Sequence, residues 1–417
     1  MIIDIDKIRS MFPALNRPEA FLDNPGGTQI VQTSLDRITG YYMKNNANHG
    51  GAFITSQLSD ALVDEARQAA ADFLNASSPE EIVFGANMTT LTFSISRALG
   101  RTFKAGDTIV LTRLDHDANI SPWLLLAEDR GLKVRFVDFN PENGTLNLED
   151  MQAALAEKPC LVAVGYASNA LGTINPVKQI IQWAHETGAL VYIDAVQYAP
   201  HGLIDVQDIN CDFLVCSAYK FFGPHMGVLY GRHELLEKLP AYKVRPAPMH
   251  APGKFETGTG NFEHMAGVLG ALEYFEWLGN TYGEPFKKEL SKKYSGRRLT
   301  LKLGMEVIRT DEHEISLTLL KGLKNMPGVT LYGLKDEARL NERVPTFSFT
   351  LASRSPLAVA EELGKKGIFL WNGNFYALEV TRRLGLEDKG GLIRVGAAHY
   401  NTMEEINRFL STLAGLA

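Results

Sequence analysis

Between about residues 80 and 230 the chain alternates two patterns, and this alternation limits the folds open to it. Runs of four to six mostly apolar residues (Glu81–Gly85, Thr108–Thr112, Val134–Asp138, Cys160–Gly165, Ala189–Asp194, Asp212–Ser217, Gly227–Tyr230) read as strands. Most are separated by stretches with helical spacing: Met88–Leu99, Ser121–Gly131, Leu148–Glu157 and Pro176–Gly188. In the last, Asn175 is expected as N-cap, with Pro176 in the first turn and Gly188 past the end. Nearly all-apolar strands joined by helices predict an α/β fold, with a mostly parallel seven-stranded sheet covered on both faces. Ligands of such sheets bind beyond the carboxyl ends of the strands, so the chemistry is sought there.

The flanks read differently. Ser59–Leu74 places Leu62, Ala66, Ala69 and Phe73 on one helical stripe. A helical stretch at Glu284–Leu303 leads into a smaller α+β region. That region reads as helix Glu312–Met326, a Pro327-Gly328 turn, strands Val329–Tyr332 and Pro345–Leu351, helix Ser355–Lys366, strands Ile368–Trp371 and Leu392–Val395, and helix Thr402–Leu413. The expected division is a large domain over 20–285 and a small α+β C-terminal domain over 286–417, joined by 1–19.

With 417 residues, 45% hydrophobic and 22% charged, the chain is long enough for two or three domains and too apolar for disorder. A net charge of −6 without a basic block argues against nucleic acid or an anionic membrane as main partner. No apolar run approaches a membrane span, and the opening MIIDIDKIRSMF lacks the order of a secretory signal. Cys160, Cys211 and Cys216 lie in apolar runs, form no CxxC and read as buried thiols of a reducing cytoplasm. No spacing suggests a metal site.

The strand ends carry Asn87-Met88-Thr89-Thr90, Asp115-His116-Asp117, Ala167-Ser168-Asn169, Asp194 with Gln197, and Ser217-Ala218-Tyr219-Lys220. The first is either a helix cap or a phosphate cradle. Asp194 and Lys220 are either a salt bridge or the two sides of a cofactor site. Pyridoxal phosphate (PLP) needs a partly desolvated lysine, a carboxylate for its ring nitrogen and an anion cradle; these strand ends supply all three. Gly258-Thr259-Gly260 is a poor match to a dinucleotide loop. The turns at 23–27 and 48–51 are explained by turn chemistry, although either would also suit a substrate border.

From FLDNPGG (21–27) to RVGAAHYNT (394–402), the sequence resembles the class V aminotransferase family of fold-type I PLP enzymes. It is most similar to the cysteine desulfurase and selenocysteine lyase branch. The motifs are LDHDAN (114–119), ASNALGTINPV (167–177), YIDAVQYAPH (192–201) and SAYKFFGPHMGVLYG (217–231). The resemblance implies that Lys220 is the Schiff-base lysine and proton shuttle, and that Asp194 pairs with the ring nitrogen. It implies Gln197 on the ring hydroxyl, His116 stacked on the ring, and Asn169 near ring and substrate. Met88, Thr89, Ser217 and Tyr219 correspond to the phosphate site, with Tyr219 where the family has histidine. Thr259 resembles a threonine that reaches the phosphate of a neighbouring subunit, which implies a homodimer with shared sites. Arg394 matches the substrate-carboxylate clamp.

In the branch a loop cysteine carries a persulfide; the matching segment, 368–377, places Tyr376 there, and no cysteine follows Cys216. The expectation is therefore an amino-acid enzyme eliminating a sulfur or related side-chain group, with Tyr376 and Asn372 at the substrate. Alternatives are an epimerase or aminotransferase of the same family and, in another class, a non-catalytic PLP-binding protein.

Overall fold

The computed structural model describes residues 3–417. The expected seven strands form one sheet: β1 (Ile82–Gly85), β2 (Thr108–Thr112), β3 (Lys133–Val137), β4 (Leu161–Gly165), β5 (Leu190–Asp194), β6 (Phe213–Ser217) and β7 (Gly227–Gly231). Their spatial order is β1-β7-β6-β5-β4-β2-β3. β3, β2, β4, β5 and β6 are parallel neighbours; β7 runs antiparallel to both β6 and β1. The link from β6 to β7 is too short for a crossover helix, so the chain returns antiparallel.

Both faces are buried by alternation along each strand. In β5, Val191 and Ile193 join the core beneath helices Ile54–Leu74, Val177–Glu186 and Phe262–Tyr282. Tyr192 faces the other way, into the core shared with helices Met88–Gly100 and Ser121–Arg130. A second sheet contains β8 (Val329–Tyr332), β9 (Thr346–Leu351), β10 (Trp371–Gly373) and β11 (Leu392–Gly396), in the order β10-β11-β9-β8. It packs on helices Pro356–Lys365 and Met403–Ala414 and on the C-terminal half of Gly296–Lys324. The expected strand Ile368–Trp371 is split: Ile368–Phe369 pairs with Ala20–Phe21, while Trp371 starts β10 opposite Arg394.

Three local expectations need correction. Asn175 is not an N-cap; helix Val177–Glu186 has no side-chain cap. Its side chain instead donates to the Gly165 carbonyl at 2.7 Å, bracing the end of β4. Cys160 and Cys211 lie just before strands, and only Cys216 is within one; all three are free thiols. The helices expected at Glu284–Leu303 and Glu312–Met326 become a short helix, Glu284–Leu290, and one 29-residue helix, Gly296–Lys324. Gly304, within the longer helix, is a crossing point. A Cβ there would lie 2.1 Å from the Phe275 carbonyl oxygen, and one at Gly279 would lie 2.0 Å from that of Thr300. Helices Phe262–Tyr282 and Gly296–Lys324 touch backbone to backbone there.

This crossing yields a test by thermal unfolding. Gly304→Ala is expected to destabilise by about 1–3 kcal/mol through overpacking. Gly364→Ala, in open space within helix Pro356–Lys365, is expected to stabilise by roughly 0.5–1 kcal/mol. Equal effects would show that the crossing is not tight.

Candidate active site

The carboxyl ends of β4, β5 and β6 converge on a pocket that opens outward into a cavity of about 970 Å³. Lys220 sits in the single turn Ala218–Lys220 that follows β6, is buried, and donates to the Pro25 carbonyl. Burial, and then the Arg394 charge, lower its pKa to about 7, while Asp194 and Asp23 oppose the shift. Asp194 ends β5, and its Oδ1 accepts the Val196 N–H at 2.9 Å. Burial pushes its pKa up to about 6 against the pull of that hydrogen bond and of Lys220.

His116 accepts the Ala118 N–H at Nδ1, 3.0 Å away, which leaves Nε2 as the protonated nitrogen of a neutral ring. Burial, Lys220 and Arg394 hold it neutral, with a pKa near 3. Its ring stacks on Tyr376, with centroids 5.6 Å apart and planes at 17°. At the start of helix Met88–Gly100, the Met88 N–H donates to Ser217 Oγ at 3.1 Å, and Asn87 caps Thr90. Thr89 lines both pocket and cavity. Tyr219 stacks on His225, and Lys220 Nζ lies 5.0 Å from the Tyr219 ring centroid.

Arg394 reaches this pocket from β11 in the other sheet. Its Nη1 donates to the Asn169 carbonyl at 2.9 Å, and its guanidinium lies 4.2 Å from the Phe375 ring centroid. Burial lowers its pKa to about 9. The Asn169 amide holds the Phe375 carbonyl at 2.8 Å, and the Asp117 N–H holds that of Tyr376 at 2.6 Å. Phe375 and Tyr376 both take left-handed conformations, with φ of 56° and 58°, so these two clamps hold a locally strained turn. Asn372 lines the cavity, and Tyr376 stands 72% exposed at its mouth.

The structure thus brings together Lys220, Asp194, Gln197, His116, Met88, Thr89, Ser217, Tyr219 and Asn169 around the pocket, with Arg394, Asn372 and Tyr376 in the adjoining cavity. Thr259 is exposed and lines neither space. Residues 48–51 line neither, whereas Pro25 and Gly26 border the cavity. Asp115 was legible only as a neighbour of His116. It is buried beside Asp194, is bonded by Thr112 and Asn119, and is raised to about 7 by burial.

A family model for class-V aminotransferases matches residues 20–297 and 296–409. The chain belongs to the class-V aminotransferase family. Its enzymes depend on pyridoxal phosphate. A cysteine desulfurase of Synechococcus elongatus is 33% identical over 98% of this chain, which spans 63% of that relative's length. An aminotransferase-like protein of Gibberella zeae is 34% identical, with 98% of this chain and 97% of the relative covered. The apo structure of a cysteine desulfurase from Thermococcus onnurineus, 28% identical, superposes with a TM-score of 0.87 over 99% of this chain and 97% of that one. The architecture is that of a fold-type I PLP enzyme.

The pocket suits this cofactor in its donor set. Buried Gln197 Oε1, Asn169 Oδ1 and Arg394 Nε have no protein partner, and such atoms are costly unless a ligand satisfies them. Among the described residues no group of His, Cys, Asp and Glu is arranged to hold a metal ion, and no helix is long and apolar enough to cross a membrane.

Loading of pyridoxal phosphate onto the apo-protein, followed by its visible band, is expected to accelerate as pH rises through about 7, where Lys220 loses its proton. In Arg394→Met the midpoint is expected at higher pH, because the neighbouring cation that disfavours the ammonium is gone. An unmoved midpoint would remove Arg394 from the control of Lys220.

Proposed function

We propose that this PLP-dependent enzyme binds an amino acid by its carboxylate at Arg394 and eliminates a sulfur or related group from the side chain, without a protein persulfide. The observation that carries this reading is the make-up of the cavity: a buried lysine and an arginine at its floor, and no cysteine among its lining residues. A persulfide carrier needs an accessible thiolate. Cys211 and Cys216 are buried, and burial raises both thiols and pushes Cys160 up to about 12. The resemblance puts Tyr376 at the position of the family's loop cysteine.

When bound, pyridoxal phosphate supplies an aldehyde to the substrate amine and an electron sink for the pair released at Cα. Lys220 would hold its aldehyde carbon, Asp194 its ring nitrogen, Gln197 its ring hydroxyl and His116 a ring face. Met88, Thr89, Ser217 and Tyr219 would hold its phosphate, joined by Thr259 from a second copy in a homodimer. Lys220, with its pKa near 7, is partly neutral at physiological pH and can take the Cα proton. Arg394 retains an unpartnered Nε and donates to the substrate carboxylate, while Asn169 fixes its other end. The Asn372–Tyr376 segment shapes the side-chain end of the site. Exposed Tyr42, Met43, Phe53 and Ile54 support the homodimer, since bare apolar groups of this size favour a covering partner.

Borohydride reduction followed by peptide mass analysis is expected to place the cofactor adduct on Lys220, and Lys220→Ala to lose the visible band. Over an amino-acid panel, the expected products are a keto acid, ammonia and the released side-chain group. Alanine with protein-bound sulfur, or a D-isomer alone, would overturn elimination. Arg394→Ala is expected to raise KM by about 10–100-fold, the worth of a charged hydrogen bond of roughly 1.5–3 kcal/mol. Unchanged kinetics in both Tyr376→Phe and Asn372→Ala would remove the loop from substrate recognition.

A further inference from the structure

We propose that the substrate's side chain is long, runs along an aromatic wall, and ends in a cationic group read by Asp117 and Glu387. This rests on the amino-acid reading above and adds the substrate class to it. The floor of the site, Lys220 and Arg394, accounts for the amino and carboxylate ends of any amino acid. The cavity as a whole, floor included, measures about 970 Å³, at the upper end of the roughly 300–1,000 Å³ typical of pockets for drug-sized ligands, and so has room for more than a cysteine side chain.

The outer wall carries Phe93, Trp371 and Tyr376. Trp371 is braced on Gly26, where a Cβ would fall 2.3 Å from its indole nitrogen. Aromatic faces of this kind attract alkyl chains and cations alike. The charges of the lining are asymmetric: its only Lys and Arg are Lys220 and Arg394 at the floor, and its only carboxylates are Asp117 and Glu387.

Two other carboxylates are ion-paired, Glu379 with Arg113 and Asp138 with Arg383. Asp117 and Glu387 have neutral partners instead. Asp117 Oδ2 accepts the Ser121 hydroxyl at 2.6 Å; Glu387 accepts the Asn374 amide at 3.0 Å and the Thr381 hydroxyl. Neither forms an ion pair among the described residues. Their charge is therefore held in place at the cavity and left for a ligand to balance, and a distal carboxylate would be repelled.

The test is titration of the PLP-loaded enzyme, by calorimetry and by its visible band, with L-cysteine, S-(2-aminoethyl)-L-cysteine and S-carboxymethyl-L-cysteine. The aminoethyl compound is expected to bind roughly ten-fold or more tighter than the other two, with the margin shrinking at high salt. Asp117→Asn is expected to reduce its preference over the carboxymethyl compound; this variant spares the Glu387 contacts that hold the loop. Equal or tighter binding of the carboxymethyl compound, or of cysteine, would overturn the proposal while the amino-acid reading stands. A loaded enzyme whose band and heat respond to no amino acid would overturn both.

Discussion

The cost of burying charge organises this molecule. Lys220, Asp194 and Arg394 are all withdrawn from water at one point, and burial shifts each toward its neutral form. An arrangement of this kind is unfavourable for stability alone, because such charges need partners. The surrounding fold holds them nonetheless: a turn fixes Lys220 directly after β6, the strand end fixes Asp194, and the Asn169 carbonyl fixes Arg394. The unpaired acceptor atoms beside them belong to the same arrangement. A site prepared for a charged cofactor has this form.

The two sheets meet at the site through polar contacts as well as apolar ones. Gln197, after β5, donates to Thr346 at the start of β9, 3.1 Å away. Asn24 binds the Gly396 carbonyl at 2.9 Å and Asn401 at 3.1 Å, and accepts the Tyr400 hydroxyl, which places the 23–27 turn beside the end of β11. Phe12 adds apolar contact with Phe222 and Tyr274 on one side and His399 and Tyr400 on the other. Any rotation between the sheets would therefore move Arg394 relative to Lys220.

Much of the central sheet was legible because its strands are short, apolar and punctuated, so periodicity and boundary signals agree. The helix Phe262–Tyr282 was not, because it is apolar on nearly every side and carries Gly267, Gly270 and Gly279. Those glycines weaken a helix read locally. In the fold Gly270 admits the backbone of Thr33 and Ser34, Gly279 that of Thr300 and Gly304, and Gly267 the side chains of Ile38 and Pro224. Asn175 had the residue type and position of a cap, but the end of β4 offered its amide a buried carbonyl instead.

By itself the sequence determined the class of sheet, the strand ends at which chemistry would gather, and the kinship carried by the motifs around Lys220. The first two follow from local composition and spacing, the third from the resemblance those motifs carry. Only the tertiary structure decided that Pro25, from a turn near the start of the chain, receives the lysine's hydrogen bond. It also decided that Asp117 and Glu387 face one cavity, and it gives the geometry by which Arg394, 174 residues beyond Lys220 in sequence (394 − 220), reaches the site that the resemblance implied for it. Those juxtapositions depend on how two sheets pack, and no local pattern of residues encodes a distance between segments so far apart in the chain.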